Sequence, residues 1–388
     1  MNKTAMRPLA SSSSSMPISG IRLIMGMASE MQGAIRMEAG QPNFPTPAHI
    51  IEAAHQAALD GYTAYTPNAG LAPLRELCAE KVRQENQIDA QAENIVVTVG
   101  SEGAVASAFV AVVENGDEVL IPEPGWTNYA MLTRARGAEP VPYLLREEDN
   151  FIPDPEAVEA LVTPRTKMLV VNTPANPTGA VYPEETARRL VELANRRNLY
   201  LLSDEAYEKL TFQGARHVSP ARFDAEGRVV SAFSFSKTYA MTGWRVGFAV
   251  ASGETARLIV RLQEPYYSCA PSISQKAAEA ALLGPQEPVR EMIKAYARRQ
   301  RVVLDTLRFA MSAHYEPNGA FYILVNIADS GMDSFSFAQA LLRETGVATA
   351  PGATFGEAAD KYVRLSVAAP DEDCAEGARR LREYLNNS

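Results

Sequence analysis

The chain has 388 residues, of which 46% are hydrophobic and 21% are charged, and its formal net charge is -9. This length allows one large globular unit or two domains. The negative charge argues against a broad surface for nucleic acid or anionic membranes. The three cysteines, Cys78, Cys269 and Cys374, form no CxxC pair, which indicates reduced thiols in a cytoplasmic protein. The four histidines show no metal-ligand spacing, so no metal site is predicted.

The first 31 residues predict a polar tail followed by one helix. Residues 1–19 contain the serine run Ser11–Ser15, which is typical of a disordered segment. Gly20–Met31 is apolar, but Arg22 and Glu30 interrupt it. It therefore predicts an amphipathic packing helix rather than a signal core or a membrane span, and no membrane partner is expected.

Between about residue 90 and residue 250, short apolar runs alternate with helical stretches such as Pro183–Arg197. The runs are apolar on both faces, as the buried strands of a largely parallel sheet are. This alternation predicts an α/β fold with right-handed crossovers. The six candidate strands are Ile95–Val99, Glu118–Ile121, Lys167–Val171, Leu199–Ser203, Val229–Ser234 and Arg245–Ala251.

The two ends of the chain predict a smaller α/β domain. We assign residues 20–45 and 286–388 to it, and residues 46–285 to the large domain. Val289–Met311 is a long, arginine-rich helical stretch that can bridge the two. The strands predicted for the smaller domain are Gly319–Asn326 and Tyr362–Val367.

Polar residues follow four of the candidate strands, at the sheet edge where α/β proteins bind ligands. After Ile95–Val99, small residues open a helix whose free N–H groups can hold an anion such as phosphate. GxGxxG and the Gly-Lys of a Walker A loop are absent, which argues against dinucleotide and P-loop sites. The other three strand ends carry the turn Asn172–Gly179, the carboxylate of Asp204, and the pair Lys237 and Arg245. Their joint placement predicts one site for an anionic ligand.

These motifs resemble those of the class I and II aminotransferases, which are fold-type I pyridoxal-phosphate enzymes. SFSKTYAMTGWRVG at residues 234–247 is the most specific of them, and NPTG at 176–179 and DEAYE at 204–208 follow the family's order and spacing. The resemblance runs from about residue 20 to the C-terminus. The predicted fold is therefore α/β, with a large domain on a mainly parallel seven-stranded sheet between helices and a smaller α/β domain built from both chain ends.

The resemblance implies how pyridoxal 5'-phosphate is held and used. Lys237 matches the lysine that binds the cofactor covalently and moves the substrate proton, and Asp204 matches the partner of the pyridine nitrogen. Tyr207 and Asn176 match the residues that hydrogen-bond the ring's phenolic oxygen, and Trp126 the aromatic that stacks on the ring.

The same resemblance implies an anion-binding end and a substrate-binding end. Arg364 matches the arginine that grips the substrate α-carboxylate, and Gly40 adds a backbone N–H; Asn176 and Trp126 also border the substrate. Tyr65 matches a tyrosine that reaches the partner subunit's phosphate, which implies a homodimer with shared active sites. The residues that match the phosphate-holding groups are Ser234, Arg245 and the helix-start N–H groups of Ser101, Glu102 and Gly103.

One departure from the family pattern concerns the substrate side chain. Aspartate-using relatives of this subgroup often carry a lysine where this chain has Glu102. A glutamate repels a dicarboxylate, so a neutral, aromatic or cationic side chain is expected. Tyr129, Tyr322 and Phe355 are candidates for an apolar substrate pocket, although core or interface packing explains them equally well.

The sequence therefore predicts an aminotransferase that moves the amino group of an L-α-amino acid to a 2-oxo acid by a ping-pong mechanism. A lyase or an oxidase of amino acids on the same fold remains open, because the cofactor motifs do not separate these reactions. An amino-acid-sensing regulator would carry an N-terminal DNA-binding module, whereas only about 20 residues precede the matching region. A cofactor-free relative would have lost Lys237 or Asp204, and both are present.

Overall fold

The computed structural model describes residues 19–311 and 315–387. Apart from Ser19, the predicted disordered tail with its serine run lies outside the described residues. Within the described ranges, no group of three or more histidine, cysteine, aspartate or glutamate side chains is placed to hold a metal ion. No helix in this part of the chain is long and apolar enough to cross a membrane.

The described chain forms twelve strands and thirteen α-helices. The strands are β1 Ile35–Arg36, β2 Ile95–Thr98, β3 Glu118–Glu123, β4 Glu139–Leu144, β5 Thr166–Asn172, β6 Tyr200–Asp204, β7 Val229–Ser234, β8 Gly247–Val250, β9 Tyr322–Asn326, β10 Val347–Ala348, β11 Ala350–Pro351 and β12 Tyr362–Ser366. The helices are α1 Gly20–Glu30, α2 Ala48–Leu59, α3 Ala72–Glu85, α4 Gly100–Val112, α5 Asn128–Ala135, α6 Pro155–Glu159, α7 Glu184–Arg197, α8 Phe235–Thr238, α9 Gly253–Tyr266, α10 Ser272–Leu283, α11 Glu287–Leu307, α12 Ser334–Thr345 and α13 Asp371–Asn387.

Seven strands form one sheet in the order β2-β8-β7-β6-β5-β3-β4. Only β8 runs antiparallel to its neighbours in this sheet. The central strands are buried on both faces: Val170 and Leu202 pack in one hydrophobic core, whereas Val171 and Leu201 pack in the other. Successive side chains of a strand point to opposite faces, so each strand contributes to both cores. The predicted α/β fold with a seven-stranded, mainly parallel sheet is confirmed.

The candidate strands account for six of the seven strands, and β4 was missed. Its sequence, Glu139–Leu144, contains Pro140 and Pro142, which argue against a strand because proline cannot donate a ladder hydrogen bond. β4 tolerates them because it lies at the edge of the sheet and pairs only with β3. The prediction that Arg245 begins a strand was wrong, since Arg245 has φ 51° and precedes β8 by two residues.

The chain ends build two smaller sheets. β11, β12 and β9 form an antiparallel sheet, and β1 pairs in parallel with β10. The backbone continues from β1 to this antiparallel sheet, because Ser366 N–H donates to the carbonyl of Met37 at 2.7 Å. The segment after β1 is thus held beside β12. The predicted domain boundaries at residues 45 and 285 stay a prediction.

Candidate active site

A cavity of about 300 Å³ lies where the carboxyl ends of β5, β6 and β7 meet the start of α4 and the strand β12. It brings together residues that are far apart in the sequence. The predicted residues that line it are Gly40, Ser101, Glu102, Trp126, Asn176, Asp204, Tyr207, Ser234, Lys237, Arg245, Tyr322 and Arg364. Lining residues that the sequence did not single out as site residues are Ile21, Asn172, Ser236 and Thr242.

Lys237 lies on the single-turn helix α8, directly after β7, where Ser234 caps the turn by accepting a hydrogen bond from the Ser236 N–H. Its Nζ atom donates to the carbonyl of Gly40 at 2.6 Å. Burial lowers the pKa of Lys237 to about 8, and the positive charges of Arg364 and Arg245 act in the same direction. About a tenth of this amine is therefore uncharged at pH 7, far more than for a lysine in water.

Asp204 ends β6 and is only 4% exposed. Its Oδ2 accepts a hydrogen bond of 2.7 Å from the Tyr129 hydroxyl, and its Oδ1 accepts one of 3.1 Å from the Ala206 N–H. Burial raises the pKa of Asp204, while these two hydrogen bonds and the charge of Lys237 oppose the rise. Of the two explanations that the sequence left open for Tyr129, core packing holds, because its ring is buried outside the cavity and its hydroxyl binds Asp204.

The NPTG turn is pinned to the end of β6 by Asn172. The Asn172 side chain donates to the carbonyl of Asp204 at 3.0 Å and accepts from the Asn176 N–H at 2.8 Å. A second contact links the loop after β6 to the three-stranded sheet, since the hydroxyls of Tyr207 and of Tyr322 in β9 lie 2.8 Å apart. Asp204, Asn176 and Tyr207 are thus held relative to one another by the fold itself.

The start of α4 and Arg245 form the anion-binding end of the cavity. Arg245 donates to the carbonyls of Thr242 at 3.1 Å and Val99 at 3.4 Å. A Cβ on Gly100, which has φ +70°, would lie 2.7 Å from Arg245 Nη2, so the guanidinium packs directly against the helix start. A Cβ on Gly247 would lie 2.6 Å from the Ser101 nitrogen. Both glycines therefore permit the close approach of arginine, strand and helix.

Arg364 lies at the centre of β12 and is 2% exposed. It donates to Asn176 Oδ1 at 2.9 Å and to the carbonyl of Glu38 at 2.7 Å, while its Nε has no partner among the described residues. Its guanidinium lies 4.2 Å from the ring centre of Tyr322 and 4.9 Å from that of Phe355. These two rings fix the plane of the guanidinium. Burial lowers the pKa of Arg364 from its ordinary value, which lies far above neutrality.

Glu102 lines the same cavity from the first turn of α4. The Asn128 amide donates to both of its carboxyl oxygens, at 3.0 and 3.1 Å. Burial raises the pKa of Glu102, and the nearby charge of Asp204 adds to this, whereas the hydrogen bond from Asn128 and the charge of Arg245 lower it. Asn128 had no signal in the sequence, because only the fold brings α5 against α4.

Besides Tyr129 and Phe355, two residues that the resemblance assigned to cofactor binding lie outside the cavity. Gly103 is buried inside α4, where a Cβ would lie 3.1 Å from the Tyr267 hydroxyl and 3.2 Å from Thr98 Cβ. Tyr65 is 91% exposed. The segment that carries Tyr65 is nonetheless anchored, because Gln275 donates to Thr66 Oγ1 at 2.9 Å and Ser272 to the carbonyl of Tyr62 at 2.7 Å.

Comparison with known proteins identifies the family of this chain. The sequence model of the family "Aminotransferase class I and II" matches residues 32–381. An aspartate aminotransferase of Pyrococcus horikoshii is 38% identical over 95% of this chain and 94% of its own length. Aromatic-amino-acid aminotransferase 2 of Thermococcus litoralis is 36% identical over 95% of each chain. Aspartate aminotransferase from Thermus thermophilus, solved with maleate, superposes with a TM-score of 0.91 at 37% identity, covering 97% of this chain and 100% of that one.

The chain belongs to the class I and II aminotransferases, which are pyridoxal-phosphate-dependent enzymes. The names of these relatives refer to different amino acids, aspartate in one case and aromatic amino acids in the other. Membership of the family therefore leaves the substrate of this chain open.

Proposed function

We propose that this protein transfers the amino group of an L-α-amino acid to a 2-oxo acid by a ping-pong mechanism, using pyridoxal 5'-phosphate held at Lys237. The observation that carries the proposal is the shared cavity. A half-buried lysine, a buried carboxylate and a buried arginine all line it, namely Lys237, Asp204 and Arg364. A nucleophile, a partner for a ring nitrogen and a carboxylate clamp are the groups that this reaction requires.

The donor set fits the cofactor. Its phosphate would be held by Arg245, Ser234 and the N–H groups at the start of α4, which is thirteen residues long and has a positive dipole end there. Asp204 would pair with the pyridine nitrogen, and Trp126 would cover the ring. When bound, the cofactor supplies an electron sink for the bonds at the substrate Cα.

Lys237 would then transfer the substrate proton, and Arg364 would bind the substrate carboxylate. Lys237, with its pKa lowered to about 8, can accept a proton at Nζ and return it within the same cavity. Arg364 would receive the substrate α-carboxylate in a bidentate pair, for which its planar fork is suited. Gly40 has no room for a side chain, because a Cβ there would lie 2.6 Å from the Tyr322 hydroxyl. Gly40 lines the same cavity as Arg364, and its backbone N–H would donate to the same carboxylate.

A half-reaction separates transamination from the lyase and oxidase alternatives. The holoenzyme is mixed with an amino acid in the absence of any 2-oxo acid. Transamination releases about one equivalent of 2-oxo acid per active site and then stops, because the amine stays on the enzyme. Continuous release of ammonia would instead assign a lyase or an oxidase and contradict the proposal.

Glu102 is expected to select against dicarboxylate substrates. Its carboxyl group lies in a cavity that already contains Asp204, and the hydrogen bond from Asn128 and the charge of Arg245 favour its ionised form, which would repel an acidic substrate side chain. Substitution Glu102→Gln keeps the shape, and Glu102→Lys reverses the charge. We expect kcat/KM for aspartate to rise about 10-fold in the first variant and further in the second, with an opposite change for a cationic amino acid.

The measurement is a panel of amino donors assayed against 2-oxoglutarate and pyruvate. Glu118→Gln serves as a control, because Glu118 is a buried glutamate that pairs with Arg165 and Thr163, away from the cavity. A wild-type preference for aspartate, unchanged in Glu102→Gln, would contradict this role.

The exposed segment around Tyr65 supports a homodimer with shared active sites. Tyr62, Tyr65 and Leu59 are 39%, 91% and 68% exposed, and Tyr266, at the end of the neighbouring helix α9, is 63% exposed. Asn68 connects the two regions, since Gln263 donates to its carbonyl at 2.8 Å. An anchored aromatic surface of this kind is typical of a protein interface, and we propose a second copy of the chain as its partner.

Light scattering is expected to give the mass of a dimer. Tyr65→Phe is expected to weaken cofactor binding about 10-fold, because one hydrogen bond to a charged phosphate is lost. Tyr62→Phe is the matched control, since it removes a neighbouring exposed hydroxyl. A monomeric holoenzyme, or equal cofactor affinity in both variants, would rule out the shared site.

A further inference from the structure

Tyr129 reaches the carboxylate of Asp204 from outside the cavity. The tyrosine is 1% exposed and lies in the first turn of α5, whereas Asp204 itself lines the cavity. The hydroxyl donates to Oδ2 at 2.7 Å, and the Ala206 N–H donates to Oδ1 at 3.1 Å. Each carboxyl oxygen of Asp204 therefore accepts a hydrogen bond from one described residue.

The position of Tyr129 is itself constrained. Its ring meets the ring of Trp126 edge to face, with centroids 5.4 Å apart and planes at 87°. Its backbone carbonyl accepts a hydrogen bond of 2.7 Å from the Thr133 hydroxyl. Trp126 lines the cavity. The short segment from Trp126 to Tyr129 thus places the Trp126 ring at the cavity and the Tyr129 hydroxyl against Asp204.

From this geometry we infer that Tyr129 is a positioning residue for the reaction, which acts through Asp204 by keeping that carboxylate ionised and aimed at the ring nitrogen of the cofactor. The inference rests on the proposed function and adds a residue to it. A hydroxyl donor stabilises the charged form of a buried carboxylate, whose ionisation burial alone opposes. Burial also raises the pKa of Tyr129 well above its usual value, so the phenol remains a donor throughout the working pH range.

Tyr129→Phe removes the hydroxyl and keeps the ring, with its contact to Trp126. We expect the holoenzyme to lose about 10- to 100-fold in kcat and about 10-fold in affinity for pyridoxal 5'-phosphate, because a charge-assisted hydrogen bond to the ring's acid partner is lost. KM for the amino acid is expected to stay within about 2-fold, since Arg364 and its contacts are unchanged.

Tyr143→Phe is the matched control. Tyr143 is 2% exposed and its hydroxyl also makes a 2.7 Å hydrogen bond, but the acceptor is the backbone carbonyl of Val170. Both variants lose one buried hydroxyl, so similar unfolding temperatures are expected. Only Tyr129→Phe is expected to change kcat and cofactor affinity. Equal cofactor affinity and equal kcat in the two variants would overturn the inference.

A double-mutant cycle on cofactor affinity tests whether Tyr129 acts through Asp204. In an Asp204→Asn background, adding Tyr129→Phe is expected to change the dissociation constant of pyridoxal 5'-phosphate by at most about 2-fold, since no charge remains to stabilise. A further 10-fold loss in that background would show that Tyr129 acts independently of Asp204. Failure of the proposed function is distinguishable, because it would appear as absent amino transfer in the wild-type protein.

Discussion

Lys237→Ala is expected to lower kcat by about 10⁴-fold or more, the largest effect of any single substitution in this chain. The variant loses both the covalent attachment point of the cofactor and the group that moves the substrate proton. No other described lysine lines the cavity, so no second amine is placed to take over. The measurement is single-turnover kinetics, together with the visible absorption band that the cofactor acquires on covalent attachment.

Lys167→Ala is the control for this substitution. Lys167 is an exposed residue of β5 and does not line the cavity, so its removal is expected to leave kcat and the absorption band unchanged. The absence of a visible band in the wild-type protein supplied with cofactor, or a band that persists in Lys237→Ala, would contradict the central assignment.

Arg364→Leu is expected to reduce kcat/KM for every amino acid roughly 10²- to 10⁴-fold. This corresponds to a loss of about 3–5 kcal/mol of transition-state stabilisation. The reason is that each substrate carries the α-carboxylate, whereas the side chains differ. Arg364→Lys retains the charge and loses the planar fork, so it is expected to recover only part of this loss. A comparison of amino acids with the corresponding amines tests the role directly, since amines should be insensitive to the substitution.

Arg75→Lys is the matched control for the lysine variant. Arg75 is half-buried and donates to the backbone carbonyls of Ile95 and Ala92, but it lies outside the cavity. Its replacement is expected to lower the unfolding temperature without changing KM. A loss in kcat/KM that is equally large for amines and amino acids would indicate that Arg364 only supports the fold.

The buried strands were predictable because their composition is determined locally. β2, β5, β6 and β7 each contain consecutive apolar residues, such as Met168–Val171 of β5, and a strand buried on both faces requires this pattern wherever it lies in the sheet. β4 was not predictable in this way. Its two prolines are tolerated only because the strand occupies the edge of the sheet, and position in a sheet is a property of the whole fold.

Some residues of the candidate site were likewise predictable from the sequence, whereas others were not. Residues next to a strand end, such as Lys237, Asp204 and Asn176, were placed together from the sequence because parallel strands bring their carboxyl ends to one edge. Asn128 and Tyr129 lie on α5, and nothing in their neighbourhood along the chain marks them as partners of Glu102 and Asp204. Their hydrogen bonds exist because α5 packs against the sheet and α4.

The sequence by itself determined the α/β fold through local composition, and the class of protein and most of the residues that line the cavity through motifs that resemble those of a known family. Only the tertiary structure decided the electrostatics of the cavity. Burial raises the pKa of Asp204 and lowers that of Lys237. The carboxylates of Glu102 and Asp204 both accept hydrogen bonds from side chains of α5. These effects depend on distances between segments more than twenty residues apart, and packing determines such distances.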